Sequence, residues 1–294
     1  MGSSEDRPGV SVVVVSHNEG ADLHRTLLSL NAALPADSEI IVVDDSSTDG
    51  STDTLPVERV RVVRPPTRLG ISAARNLGAA HSRGDVIVFS DAHVDVPVGF
   101  IEPLVAALMR AGVGAVGPVV SQRDNPAVKG YGFRWKDAAL NIEWLGKKGS
   151  DPHPVPMLVG CFMAVRRDVF EKVGGFDGGM IVYGHEDAEL SMRLWLQGYE
   201  CLLVPEVNVV HLFRTTHPYS VDWIATLHNL MRVAIMHFGP ERSRRVFACL
   251  MSQDALPSAF AKLLDGDAWE LRRRNQSLRK RDDDWYFRTF SMHW

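Results

Sequence analysis

Short apolar runs alternate along this chain with segments whose apolar residues recur at helical spacing. Residues 10–15, 39–43, 60–63 and 86–89 are rich in Val and Ile, with the length of strands buried on both faces. After the first run, Leu23, Leu27, Leu30 and Leu34 fall on one helical face, and Pro35 ends the segment. Before the fourth run, Arg68, Leu69 and Gly70 lead into an Ala-rich helix that carries Arg75. A helix over about 100–110 turns Ile101, Leu104, Val105 and Leu108 inward, and residues 116–120 return to strand. Strands alternating with helices predict βαβ units, hence an α/β fold with a mainly parallel sheet and helices on both faces.

The second half is less regular. Residues 122–156 are long, polar and irregular, with Trp135 and Trp144 among them. A stretch of that length is more often functional than filler, and it reads as a flap over the site. The alternative is that both Trp residues pack onto the core. A strand follows at 157–165, then a short helix before Gly174. Another helix opens at Tyr183, Gly184, His185, Glu186 and Asp187, buries Leu190, Leu194 and Trp195, and ends at Gly198. Two short strands are expected at 201–204 and 207–210, the second ending at His211. An amphipathic helix over 223–238 stops at Gly239 and Pro240. In the tail, Arg272, Arg273, Arg274, Lys280 and Arg281 precede Asp282, Asp283 and Asp284, the charge pattern of a solvated helix.

Composition adds limits. The 294 residues are 45% hydrophobic and 23% charged, ordinary for a soluble protein, and the net charge of −4 gives no sign of a nucleic-acid binder. Three widely spaced cysteines without a CxxC pair suit a reducing compartment rather than a disulfide scaffold. No apolar stretch reaches the roughly 18–20 residues of a membrane span, and the polar start does not read as a signal peptide, so the cytoplasm is the expected location.

Open α/β sheets place ligands at the carboxyl ends of their strands, and here polar residues collect there, at 16–19, 44–49 and 90–93. Asp91 and His93 occupy alternate positions, so in a continuing strand they share one face. One carboxylate oxygen and one imidazole nitrogen on that face could begin a divalent-metal site. The plainer alternative is a strand-end turn with a solvated Asp. Neither GxGxxG after the first strand nor GxxxxGK[ST] is present. A sheet without a glycine cradle can hold a diphosphate through a metal instead.

Val43-Asp44-Asp45-Ser46-Ser47, Arg68-x-Gly70, Arg75, Gly84-Asp85-Val86 and Asp91-Ala92-His93 together resemble the GT-A fold of family 2 glycosyltransferases. Gly175-x-Asp177, the run from Tyr183 through Glu189 to Trp195, and His211-x-Phe213-Arg214-x-x-His217-Pro218-Tyr219 are similar to the polypeptide N-acetylgalactosaminyltransferases. The similarity covers about residues 8–220. It implies a disordered tail over 1–8, a catalytic domain over 9–220 and a helical C-terminal extension over 221–294. Within the catalytic domain, about 9–121 is the nucleotide-binding half and about 122–220 the sugar and acceptor half.

Position by position, the resemblance implies that Asp91, His93 and His211 bind Mn2+, which bridges the phosphates of a UDP-sugar. Asp45 and Arg75 would touch the uridine side, with His17 nearby. Arg214, His217 and Tyr219 would clamp the diphosphate. Glu186 and Asp187 match a Glu-Asn pair that holds the sugar, although acidic residues also suit a helix's first turn on electrostatic grounds alone. Two imidazoles and a carboxylate favour Mn2+ over Mg2+, which remains the second choice. Arg214 would place a fixed charge where the departing UDP becomes negative.

Some positions depart from the family's pattern. Val15 replaces a Thr, Cys161 a Gly, Tyr183 a Trp, His185 a Gly and Asp187 an Asn, which crowds and recharges the sugar pocket. The expected activity is a metal-dependent retaining glycosyltransferase moving a sugar, N-acetylhexosamine among the candidates, to a hydroxyl of a peptide or small-molecule acceptor. Glu186, Asp187 and Arg214 form its expected catalytic group. Two alternatives stay open: an inverting family 2 transferase with Glu186 or Asp187 as base, and a nucleotide-sugar-binding module without turnover.

Overall fold

The computed structural model describes residues 8–214 and 222–294, so all but Pro8 of the expected disordered tail lies outside the described residues. In chain order the first half runs β1 (Val10–Ser16), α1 (Gly20–Ala33), β2 (Glu39–Asp44), β3 (Val60–Val63), α2 (Ile71–Ala80), β4 (Val86–Asp91), β5 (Val94–Asp95), α3 (Ile101–Leu108) and β6 (Val113–Gln122). The second half runs β7 (Lys129–Gly130), β8 (Phe133–Trp135), β9 (Ile142–Trp144), β10 (His153–Pro154), β11 (Phe162–Arg166), α4 (Arg167–Val173), α5 (Glu186–Leu196) and β12 (Glu200–His211). Then come α6 (Trp223–His237), α7 (Pro240–Leu250), α8 (Leu256–Leu264), α9 (Ala268–Leu278) and α10 (Asp283–Thr289).

The main sheet has the order β10-β12-β6-β11-β4-β1-β2-β3. Strands β3, β2, β1 and β4 are parallel, as are β6 and β12, while β11 runs antiparallel between β4 and β6. Strand alternation divides the core. Val12, Val14, Val86 and Val88 pack with Leu23, Leu27, Leu104 and Leu108 on one face. Val13, Ile41, Ile87 and Phe89 pack with Leu190, Leu194, Leu227 and Met231 on the other. The strand residues among them alternate between the two faces because the pleat points every second residue the same way. Register places Val15 beside Asp91 and Ser16 beside Asp44, which brings three strand ends together.

Four details differ from the sequence reading. Strand β4 stops at Asp91 and a turn carries Ala92 and His93 into β5, so strand alternation is not what brings Asp91 and His93 together. Residues 201–210 lie in one strand, β12, whose pairing to β6 is irregular between Val204 and Asn208 around Pro205, a residue that cannot donate to a ladder. Part of the 122–156 stretch is ordered as a small β8–β9 hairpin. The charged run is divided between two of the four C-terminal helices, α7 to α10: α9, with Arg272, Arg273 and Arg274, is mostly exposed, whereas α10 is partly buried. Tyr286 and Phe287 of α10 join the same core as Trp195 and Phe238, and Arg272 and Arg279 donate to carbonyls at the end of α6, those of Phe238 and His237. The cationic side chains thus cap the end of α6, whose carbonyls have no partners within their own helix.

Candidate active site

Asp91, His93 and His211 converge from two parts of the sheet. Asp91 ends β4, His93 follows in the turn, and His211 ends β12 opposite Val94 of β5. One ligand atom from each lies within 4.8 Å of the others. The His211 Nε2 is 3.4 Å from Asp91 Oδ2, and the two imidazole centroids are 4.7 Å apart. His211 Nδ1 is buried without a hydrogen-bond partner among the described residues. A buried nitrogen without a partner is costly, and a donor set of two imidazoles and a carboxylate fits a divalent transition cation.

Local charges prepare these groups. Burial would raise the Asp91 carboxyl, but the bond to His211 and the nearby Arg75 and His93 charges hold it well below the usual carboxylate range. Burial lowers His211, which favours the neutral imidazole that a metal needs. His93 is raised instead: burial opposes its charge, but Glu19 and Asp91 outweigh that.

Arg75 lies under this cluster. Its side chain is 2% exposed and donates to Asp91 Oδ1 at 3.1 Å, Glu186 Oε1 at 3.0 Å and the Gly160 carbonyl at 2.7 Å. It was expected to touch the uridine side. Its three bonds hold it between the metal-candidate carboxylate and α5, where it lines a cleft with Glu186 and Asp187. The reason is length: from α2 the guanidinium reaches past Asp91 to the first turn of α5.

A small cleft of about 100 Å³ is lined by His17, Asp45, Arg68, His93 and Tyr183. His17 Nδ1 contacts the Asp45 carbonyl at 2.8 Å. The buried Asp45 carboxylate accepts backbone N–H groups from Leu69 at 2.6 Å and Gly70 at 3.0 Å. It thereby fixes the loop that opens α2. Gly70 has φ +80°, and a Cβ there would meet the Val182 backbone at 3.0 Å, so this loop and the 182–183 segment can approach only through a glycine.

A second cleft, of about 350 Å³, is lined by Cys161, Glu186, Asp187, Trp144, Phe213 and Arg214 among others. Glu186 is held by Arg75 and by the Gly184 N–H at 3.0 Å. Asp187 accepts from the Gly160 N–H at 2.8 Å. Burial, and then the Glu186 charge, push Asp187 up to about 7. Burial likewise keeps Cys161 a thiol. His185, at the start of α5, has φ 69°, a left-handed conformation that glycine adopts more readily.

Arg214 reaches the same cleft but points to α1, with Nη2 2.5 Å from Glu19 Oε2 and 3.3 Å from Asp22 Oδ2. His217 and Tyr219, expected beside it, lie outside the described residues. The two tryptophans divide: Trp135 is 1% exposed, stacked on Phe287 and edge-to-face with Phe238, whereas Trp144 is 45% exposed and lines the cleft against Phe213.

Sequence reading did not single out Glu19, Asp22 or Arg123. Glu19 Oε2 lies 3.0 Å from His93 Nδ1, so it joins a metal candidate to Arg214. Its signal was its place in the polar stretch after β1. Asp22 follows one helical turn later, a spacing that puts both on one face. Nothing local marks Arg123, whose partners are distant in sequence.

Residues 11–174, more than half of the chain, match the family described as Glycosyl transferase family 2, and residues 149–218 match the N-terminal domain of galactosyltransferase. Polypeptide N-acetylgalactosaminyltransferase 8 of Drosophila melanogaster is 35% identical over 71% of this chain and 39% of its own length. Polypeptide N-acetylgalactosaminyltransferase 11 of Xenopus tropicalis is 33% identical over 78% and 42%. The chain thus spans about two-fifths of the length of these curated relatives. A crystal structure of GalNAc-T7 with UDP, GalNAc and Mn2+ superposes with a TM-score of 0.81 at 25% identity, covering 98% of this chain and 57% of that one. The sheet, its flanking helices and the sequence match agree: this chain belongs to glycosyl transferase family 2, with the GT-A fold and a likeness to the catalytic domain of the polypeptide N-acetylgalactosaminyltransferases.

Proposed function

We propose that this chain is a metal-dependent retaining glycosyltransferase that moves a sugar from a UDP-sugar to a hydroxyl of a peptide or small-molecule acceptor. The observation that carries this reading is the convergence of Asp91, His93 and His211 at the junction of two clefts. Mn2+ held by these three residues would neutralise the diphosphate and stabilise it as a leaving group. The likeness to GalNAc-T7 with UDP and Mn2+ supports both the metal and the donor. N-acetylhexosamine remains among the candidate sugars, and Cys161 and Asp187 shape the choice from the cleft wall. Three cysteines without disulfides suit the expected cytoplasmic location.

The chain's own residues divide the work. His17 and Asp45 form the nucleotide side. Arg214 supplies positive charge to the diphosphate once it leaves Glu19; His217 and Tyr219, which the resemblance assigns to the same clamp, lie outside the described residues. Glu186, ion-paired to Arg75, is a weak nucleophile and serves to orient the sugar. The acceptor oxygen forms its bond to the anomeric carbon from the face on which the bond to UDP breaks, and its proton passes to the departing diphosphate. Trp144 gives the acceptor an apolar wall.

One observation favours a second reading. A carboxyl titrating at about 7 is suited to general-base work, so Asp187 would fit an inverting enzyme. The test is a panel of nucleotide sugars with Mn2+ and with chelator, scored for UDP release and for the anomeric coupling of the product by NMR. UDP release from one donor, lost with chelator, is expected, with retained configuration. Inverted configuration would replace the first reading with the second. Nucleotide binding without turnover for any donor or acceptor would leave a binding module.

A further inference from the structure

Arg123 has no part in the chemistry above, yet it touches the backbone of both metal-candidate histidines. It follows β6 directly. Its backbone N–H donates to the His211 carbonyl at 2.9 Å, and its Nη2 donates to the His93 carbonyl at 3.2 Å. Its Nη1 donates to Asp22 at 2.6 Å, and its Nε lies 3.4 Å from Asp95. The side chain is 15% exposed, so these contacts are largely shielded from water.

This arrangement matters because of where the two histidines sit. His93 lies in a two-residue turn outside the ladders, whereas His211, the last residue of its strand, is paired on both sides, with Gln122 and with Val94. Besides Arg123, the His93 carbonyl receives only the Leu212 N–H at 3.1 Å among the described residues. A planar guanidinium with donors in a fixed fork can hold one carbonyl while two carboxylates, from α1 and β5, fix its plane. We propose that Arg123 is a positioning residue whose guanidinium holds the His93 turn against the sheet-fixed His211 and thereby sets the affinity of the site for a divalent cation. The inference rests on the metal reading of Asp91, His93 and His211.

The cause of the expected effect is geometric. Partners of metal ligands typically change affinity by about 10–100-fold when removed. Lysine keeps the charge but presents one ammonium in place of the fork, so it cannot span Asp22 and the His93 carbonyl as arginine does. Arg25 offers a control, because it pairs with Asp95 at 2.7 Å from an exposed position without touching either histidine.

The test is titration of the folded chain with Mn2+, read as loss of the free-ion EPR signal. Wild type, Arg123→Ala, Arg123→Lys, Arg25→Ala and His211→Ala are compared well below their melting temperatures. Arg123→Ala should weaken Mn2+ binding about tenfold or more, Arg123→Lys severalfold, and Arg25→Ala less than about twofold. A merely structural arginine would lower the melting temperature and leave the affinity of the folded protein unchanged. If Arg123→Ala fails to fold, the lysine variant decides alone. Wild-type affinity in the folded Arg123 variants, with binding lost in His211→Ala, would overturn this inference and leave the metal site standing. No Mn2+ binding by wild type would overturn both.

Discussion

Glu19 is hydrogen-bonded to His93, its Oε2 3.0 Å from the ring Nδ1, which leaves Nε2 as the ring nitrogen open to a ligand. A carboxylate behind a histidine fixes its tautomer and its plane. Glu19→Ala should therefore weaken Mn2+ binding about 10–100-fold, and Glu19→Gln less, because an amide oxygen can still accept from Nδ1–H. The same EPR titration reads this, and equal affinity in Glu19→Ala would contradict the role.

Arg75 is buried between two carboxylates, Asp91 and Glu186. Removing it leaves both without that cation, Glu186 almost fully buried and Asp91 at the cleft floor. Arg75→Met should lower unfolding free energy by about 3–5 kcal/mol, measured by urea denaturation. A loss below about 1 kcal/mol would mean that the carboxylates find other partners.

The Asp187 carboxyl is raised to about 7 in the folded chain. A folded value above the unfolded value of about 3.9 means that the native state binds the extra proton. The stability this brings is complete below about pH 4 and is lost as pH rises through about 7. Asp187→Asn cannot ionise and can still accept the Gly160 N–H. The difference in melting temperature, variant minus wild type, should therefore grow from pH 4 to pH 8. A difference independent of pH would contradict the shift.

The two tryptophans of the 122–156 stretch should respond differently. Trp135→Ala removes a buried ring and should cost about 3–5 kcal/mol. Trp144→Ala, at the cleft wall, should leave the melting temperature within a few degrees while raising the KM for acceptor. Equal destabilisation by both would mean that the stretch is core throughout.

Much of this was legible because it is periodic. The Val and Ile runs of β1, β2 and β4 and the leucines of α1 fix a parallel sheet by local pattern alone, and the sheet fixes where polar strand ends meet. Asp91 and His93 were found through a rule of strand alternation that does not apply, since a turn separates them. Their convergence depends on β5 pairing with β12, a contact of long sequence separation. The partners of Arg75 were hidden for a related reason: a motif gives its position in the chain, whereas its partner Glu186 lies 111 residues away. Glu19 and Arg123 were overlooked because their partners come from other elements, which hydrophobic spacing does not encode. The tail was read by charge alone, and the aromatic residues that bury α10 were given too little weight.

The central claim is that Asp91, His93 and His211 form a metal site through which the chain holds a nucleotide diphosphate. Calorimetric titration of UDP into wild type and His211→Ala, each with Mn2+ and with chelator, tests it most directly. The account predicts that Mn2+ tightens UDP binding to wild type by at least about tenfold, ~1.4 kcal/mol, and that His211→Ala loses this gain. Equal UDP affinity with and without Mn2+ in wild type, or a metal-dependent gain that survives His211→Ala, would contradict it.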